Sequence, residues 1–183
     1  VDPDKFKPSQ FRRSDLILSV GRLESQKNYS LLIKIITLSD FRSKLKLVII
    51  GEGSHKQLLL KLAKKLGVNL NLINNLSHTE LIHWYQSAAV FVSTSDYEGH
   101  QKTLLEAMSC ACPSLTTKFS GNPITNQENG LVGNNKQELT DYLNLLIKNK
   151  KLSQSLGVNA RRLVINQYNI KKLIKKEIQL LSL

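Results

Sequence analysis

Apolar residues recur along this chain in two alternating patterns. Short continuous runs at residues 16–20 (LILSV), 45–50, 68–73, 89–92 and 114–116 have the length and β-branched content of buried strands. Between them lie segments of helical period. Asn28 can cap a helix with Leu31, Leu32, Ile35 and Ile36 at helical spacing, residues 55–66 carry a leucine stripe closed by Gly67, and Ser77 with Glu80 forms a capping box ahead of Leu81 and Tyr85. A helix over 103–109 follows the fourth strand. Strand and helix alternate, which predicts an α/β fold: a Rossmann-like parallel sheet with helices on both faces. From Asn134 onward the pattern is helical, with Asn135 and Glu138 as a cap, a helix over 152–165 and an amphipathic last helix over 170–181. The expected organisation is one domain over 1–183, with a linker-like segment at 1–14, where VDPDKFKP is charged and proline-punctuated, and a helical extension at 134–183. That opening reads as a piece of a longer protein.

Composition narrows the partners. The 26 Lys and Arg against 14 Asp and Glu give a net charge of +12, which favours anionic ligands or a solvated lysine-rich surface. Aromatic residues are only 6% of the chain, so stacking surfaces for nucleic acid are not expected. Cys110 and Cys112 read as small core residues of a reducing cytoplasm. The histidines show no metal-ligand spacing, and no bound metal is expected. No apolar run is long enough to span a membrane, although the last helix, with lysines at 171, 172, 175 and 176, leaves peripheral attachment open.

Ligands of an open parallel sheet bind beyond the carboxyl ends of its strands. The loops there carry Gly21, Arg22 and Lys27 after the first strand, Gly51 and Gly53 after the second, and Glu98, Gly99, His100, Gln101, Lys102 and Thr103 after the fourth, with Glu106 one turn into the following helix. Two cations can hold a pyrophosphate, Arg by paired hydrogen bonds and Lys as a point charge. The acids can accept sugar hydroxyls, and a helix start suits a phosphate. No Walker A or G-x-G-x-x-G sequence is complete, which argues against an ordinary NTPase or dehydrogenase.

The segments VGRLESQKN, VIIGEGS, YEGHQKTLLEAMSCACP and NGLV, in this order, resemble the C-terminal, donor-binding half of GT-B retaining glycosyltransferases of family 4 (group 1). The resemblance implies a retaining hexosyltransferase that takes a UDP- or GDP-linked sugar without a cofactor and is completed by an N-terminal GT-B domain of the same protein. The isolated fragment would then be inactive. It assigns Arg22, Lys27 and Glu98 to catalysis, the first two on the donor diphosphate and Glu98 on the sugar. Glu106 would bind the ribose, and Gly21, Gly51, Gly53, Gly99, His100, Gln101, Lys102 and Thr103 would line the donor site. A lipid-linked or polysaccharide acceptor and a cytoplasmic site of action, peripheral to a membrane or not, fit the same picture. The chain departs from the family at Gln101, where many members have a second glycine, and at Ile124, where a glutamate commonly follows the proline. Two other readings stay open: a sugar-nucleotide epimerase of similar fold, and a non-catalytic polyanion-binding module.

Overall fold

The computed structural model describes residues 1–10, 12–99 and 101–181. Six strands, β1 (Leu16–Val20), β2 (Lys46–Ile50), β3 (Leu70–Ile73), β4 (Val90–Ser93), β5 (Ser114–Thr117) and β6 (Leu131–Gly133), form one sheet in the order β3-β2-β1-β4-β5-β6. Every pairing is parallel, so each connection crosses over one face. The order reverses between β1 and β4, where Ile17 lies opposite Val90 and Leu18 opposite Phe91. Chains leaving these two strands turn to opposite sides and open a crevice between their loops.

The described residues form seven α-helices, in chain order α1 (Tyr29–Leu38), α2 (Lys56–Leu66), α3 (His78–Ser87), α4 (Lys102–Ser109), α5 (Lys136–Lys148), α6 (Lys150–Gln167) and α7 (Ile170–Leu181). Alternate residues of the central strands serve two separate cores. Ile17, Leu47, Ile49, Val90 and Val92 meet Leu32, Ile36, Leu59 and Leu143 on one face. Leu16, Leu18, Val48 and Phe91 meet Tyr85, Leu104, Met108, Ala160 and Val164 on the other. Continuous apolar runs are what burial on both faces demands.

Element ends agree with the sequence pattern to within about two residues, the usual uncertainty of a helix or strand terminus. Two local readings change. β6, three residues long, is a sixth strand that the periodicity did not announce. Asn28 does not cap α1 through its side chain: a short 3-10 turn at Ser25–Lys27 forces it into the left-handed region at φ 46°, and its amide instead donates to Asp96 at 3.0 Å. The Ser77–Glu80 capping box and the Asn135 cap form as expected.

The described residues of the opening segment contain no helix or strand, yet they are pinned along the domain. Phe6 is buried in the second core. The Arg12 guanidinium donates to the carbonyls of Tyr85, Ala88 and Cys110 at 3.1, 3.1 and 2.6 Å. Arg161 of α6 donates to those of Pro3, Phe6 and Ser109. The two cysteines are buried and free, and burial pushes the Cys110 thiol up to about 12, so it stays protonated and inert. α7 leaves Ile170, Leu173 and Ile174 exposed. No helix among the described residues is long and apolar enough to cross a membrane.

Candidate functional site

The site is assembled at the carboxyl ends of β1 and β4. Lys27 arrives from the loop after β1 and Glu98 from the loop after β4, and Lys27 Nζ lies 2.5 Å from Glu98 Oε1. Both side chains are largely shielded, at 17% and 9% exposure. Ser95 donates its hydroxyl to the same carboxylate oxygen at 2.5 Å. The loops holding this pair are themselves tied together: Thr94 Oγ1 lies 3.0 Å from both the Lys27 and Asn28 carbonyls, and the Asp96 amide donates to the Gln26 carbonyl. Thr117, at the end of β5, donates to the Ser95 carbonyl and braces the loop from the far side.

The glycines after β2 have a structural reason of their own. A Cβ on Gly51 would come within 2.1 Å of the Gly21 carbonyl oxygen, and one on Gly53 within 2.5 Å of that of Leu23. Both have positive φ, 150° and 157°. The loops after β1 and β2 interlock through Gly21 N–H to the Ile50 carbonyl, Leu23 N–H to Glu52 and His55 N–H to Leu23. The Glu24 carboxylate closes the seam by accepting from the Ser54 amide and hydroxyl. Glycine is thus required there by the approach of one backbone to another. Gly99 is different, with open space around its missing side chain and no positive φ.

Glu106 sits on the inner side of α4, 2% exposed, and accepts from the Tyr85 hydroxyl at 3.0 Å. Its carboxyl is held above the usual carboxylate range, chiefly by burial, against the opposing pull of Tyr85, Lys102 and His78. Lys102 opens α4 one residue earlier than the pattern suggests and turns back over its own helix. Its Nζ lies 3.2 Å from His78 Nε2 and 4.0 Å from Glu106 Oε1.

The structure therefore brings Lys27 and Glu98 into contact with each other, which the sequence reading, with one on phosphate and the other on sugar, did not anticipate. Arg22 stands exposed at the mouth of the same loop, outside that pair. Gln101 and Thr103 flank the start of α4. His100 lies outside the described residues. Ser95 and Thr94 have no nucleophile motif around them in the sequence; the run of three hydroxyl residues before the acid is the signal that could have found them.

After β5 the chain loops through residues 118–130. Ile124, the departure from the family pattern, is buried in the second core and lies against Gly130. Asn122 and Asn129 supply the polar frame: Asn122 donates to Thr116 Oγ1 and accepts from the Ile124 amide, and Asn129 accepts from the Thr125 amide. This loop lines a cavity of about 400 Å³ with Lys118, Phe119, Asn126 and Asn134. A second cavity of about 550 Å³ lies at the other end of the sheet, beside Ser14, Ala89 and Pro113, and the Arg12 that borders it is taken up by main-chain carbonyls.

Comparison with known proteins agrees with this geometry. The family model described as glycosyl transferases group 1 matches residues 1–163. An uncharacterized glycosyltransferase of Haemophilus influenzae is 30% identical over 169 residues, covering 87% of this chain and 47% of the relative. The C-terminal domain of a Francisella tularensis glycosyl transferase group 1 family protein, LpcC, superposes with a TM-score of 0.81 at 25% identity, over 93% of this chain and 99% of that one. Staphylococcus aureus TarM, solved with UDP bound, superposes with a TM-score of 0.85 at 25% identity, over 95% of this chain and 36% of that one. The chain spans less than half the length of the Haemophilus influenzae protein and of other curated glycosyltransferases it matches. With the parallel sheet, its reversal between β1 and β4, and the Lys27–Glu98 pair at that point in place, the chain belongs to the glycosyl transferases group 1 family.

Proposed function

We propose that this chain is the donor-binding half of a retaining hexosyltransferase that takes a UDP- or GDP-linked sugar and works with an N-terminal GT-B domain of the same protein. The observation that carries the reading is the Lys27–Glu98 ion pair at the switch point of the sheet. In the free protein each charge satisfies the other. A donor entering the crevice offers both a better partner, with diphosphate oxygens for Lys27 and sugar hydroxyls for Glu98. Arg22, exposed beside them, completes the grip on the diphosphate. Glu106, with one oxygen held by Tyr85, presents the other to the ribose hydroxyls. On this reading the main chain at Gly99, Gln101, Lys102 and Thr103 meets the sugar and phosphate, and Gly21 lies against the diphosphate.

During transfer the bond between the anomeric carbon and the phosphate oxygen breaks, and negative charge grows on the departing nucleoside diphosphate. Lys27 and Arg22 stabilise that charge from fixed positions, the kind of preorganised electrostatics that lowers a barrier most. TarM, solved with UDP, supports the nucleotide class. Relatives named for transfer to diphospho-undecaprenol and poly(ribitol-phosphate) support a lipid-linked or polymeric acceptor. Isothermal titration of UDP and GDP into the chain tests the proposal. One of them binds, and Lys27→Ala and Arg22→Ala each weaken it about tenfold or more, the expected loss of a hydrogen bond to a charged group. Absence of binding by both nucleotides at millimolar concentration would sink it.

A further inference from the structure

Tyr29, the first residue of α1, is 3% exposed, and its hydroxyl has no hydrogen-bond partner. Buried polar atoms are almost always paired, so an orphan at a ligand site is informative. Ser19 is near enough to act on the phenol electrostatically, but its hydroxyl proton is given to the Val92 carbonyl at 2.6 Å and no bond of proper geometry reaches the phenol oxygen. The phenol oxygen is aimed at the bare face of Gly21: a Cβ there would lie 3.0 Å from Tyr29 Oη and 3.0 Å from Lys27 Cε. The missing side chain thus leaves one gap bordered by the Lys27 stem and the phenol. The Gly21 and Leu23 amides do not fill it, because they are committed to the Ile50 and Glu52 carbonyls.

We propose that Tyr29 is a donor-binding residue whose hydroxyl donates to a phosphate oxygen of the nucleoside diphosphate, reached through the gap over Gly21 beside Lys27. The inference rests on the nucleotide-sugar reading given above and adds to it a neutral contact beneath the cations. Burial pushes the phenol well above its usual range, so it remains protonated and acts as a donor, never as a base. An oxygen seated there would also satisfy the one buried side-chain atom left without a partner among the described residues.

The test compares the chain with Tyr29→Phe and Ser19→Ala. Phenylalanine keeps the ring packing and removes only the orphan hydroxyl, so the melting temperature of the free Tyr29→Phe chain is expected to be unchanged or higher. Its dissociation constants for UDP or GDP and for inorganic pyrophosphate rise about tenfold, while uridine or guanosine shows no loss. Ser19→Ala leaves pyrophosphate affinity within about twofold. The proposal is overturned if Tyr29→Phe binds pyrophosphate as the parent does, if its melting temperature falls along with affinity, or if Ser19→Ala reproduces its loss. Failure of the parent chain itself to bind UDP, GDP or pyrophosphate would remove the nucleotide-sugar reading and this inference together, an outcome distinct from a silent Tyr29→Phe variant.

Discussion

Replacing Lys27 by methionine keeps the length and apolar stem of the side chain and deletes its charge. At the 2.5 Å separation of the pair, an effective dielectric of ~20 gives an attraction of about 6–7 kcal/mol. Desolvating each ion costs several kcal/mol, so the intact pair contributes little net stability. Removing one partner is another matter. Glu98, 9% exposed, would keep only the Ser95 hydroxyl. Breaking a fully buried pair costs about 3–5 kcal/mol; with Lys27 at 17% exposure some water screens the orphaned carboxylate, and about 2–3 kcal/mol is expected. For a domain of this size that corresponds to a fall of roughly 5–10 °C in melting temperature. Lys27→Met/Glu98→Gln removes both charges and should cost about 1 kcal/mol or less, leaving a large coupling energy in the double-mutant cycle. Urea unfolding followed by circular dichroism reads all four corners. Additive single-variant losses, or a Lys27→Met cost below about 0.5 kcal/mol, would refute the view that the two charges hold each other in the free state.

The remaining predictions concern neighbouring positions. Gly51→Ala, which forces a Cβ to 2.1 Å from the Gly21 carbonyl, should destabilise the chain by about 3 kcal/mol or more in the same unfolding assay. Gly99→Ala, with nothing within 4 Å, should change stability by no more than about 0.5 kcal/mol yet weaken binding of the nucleotide sugar measured by calorimetry. Glu106 has a raised carboxyl pKa, so the folded state holds its proton more firmly than the unfolded state, where the value is near 4.5. The stability tied to that proton is complete below about 4.5 and is lost as pH rises through the folded value. Glu106→Gln has no charge to desolvate, so its melting temperature should gain on the parent as pH increases from 4 to 8; a constant difference across that range would contradict the assignment.

Much of the fold was legible because the sheet is covered on both faces. Runs such as LILSV and LKLVII carry no polar alternation and can be little else but buried parallel strands. β6 escaped because three residues give no period to read, and its place is set by pairing with β5 across Leu115 and Leu131. At the site, residue types were legible and their partners were not. Lys27 and Glu98 are 71 positions apart, and only the strand order that sets β1 beside β4 brings them together. Lys102, expected to line the donor site, is drawn toward Glu106 one turn along its own helix and toward His78, a neighbour it acquires through the packing of α3 on α4. The opening segment reads as a linker from its prolines and charges. The guanidinium of Arg12, which fastens it to four main-chain carbonyls, looks in sequence like any surface cation.

The interlocking of the loops after β1 and β2 bears on how donor choice could be re-engineered. Gly51 fits against Gly21 and Gly53 against Leu23 with no room for a side chain, and three main-chain bonds stitch the two turns. They form one part, and a graft that replaced either turn alone would bring in a mismatched backbone at every stitch. The 118–130 loop is built otherwise: Asn122, Asn129 and the Gln127–Gly130 bond close much of it upon itself, and it is anchored to the domain by Ile124 in the second core, Asn122 on Thr116 and Asn159 on the Glu128 carbonyl. That makes it an exchangeable cassette, the place where a relative's loop could be transplanted whole without disturbing the Lys27–Glu98 pair.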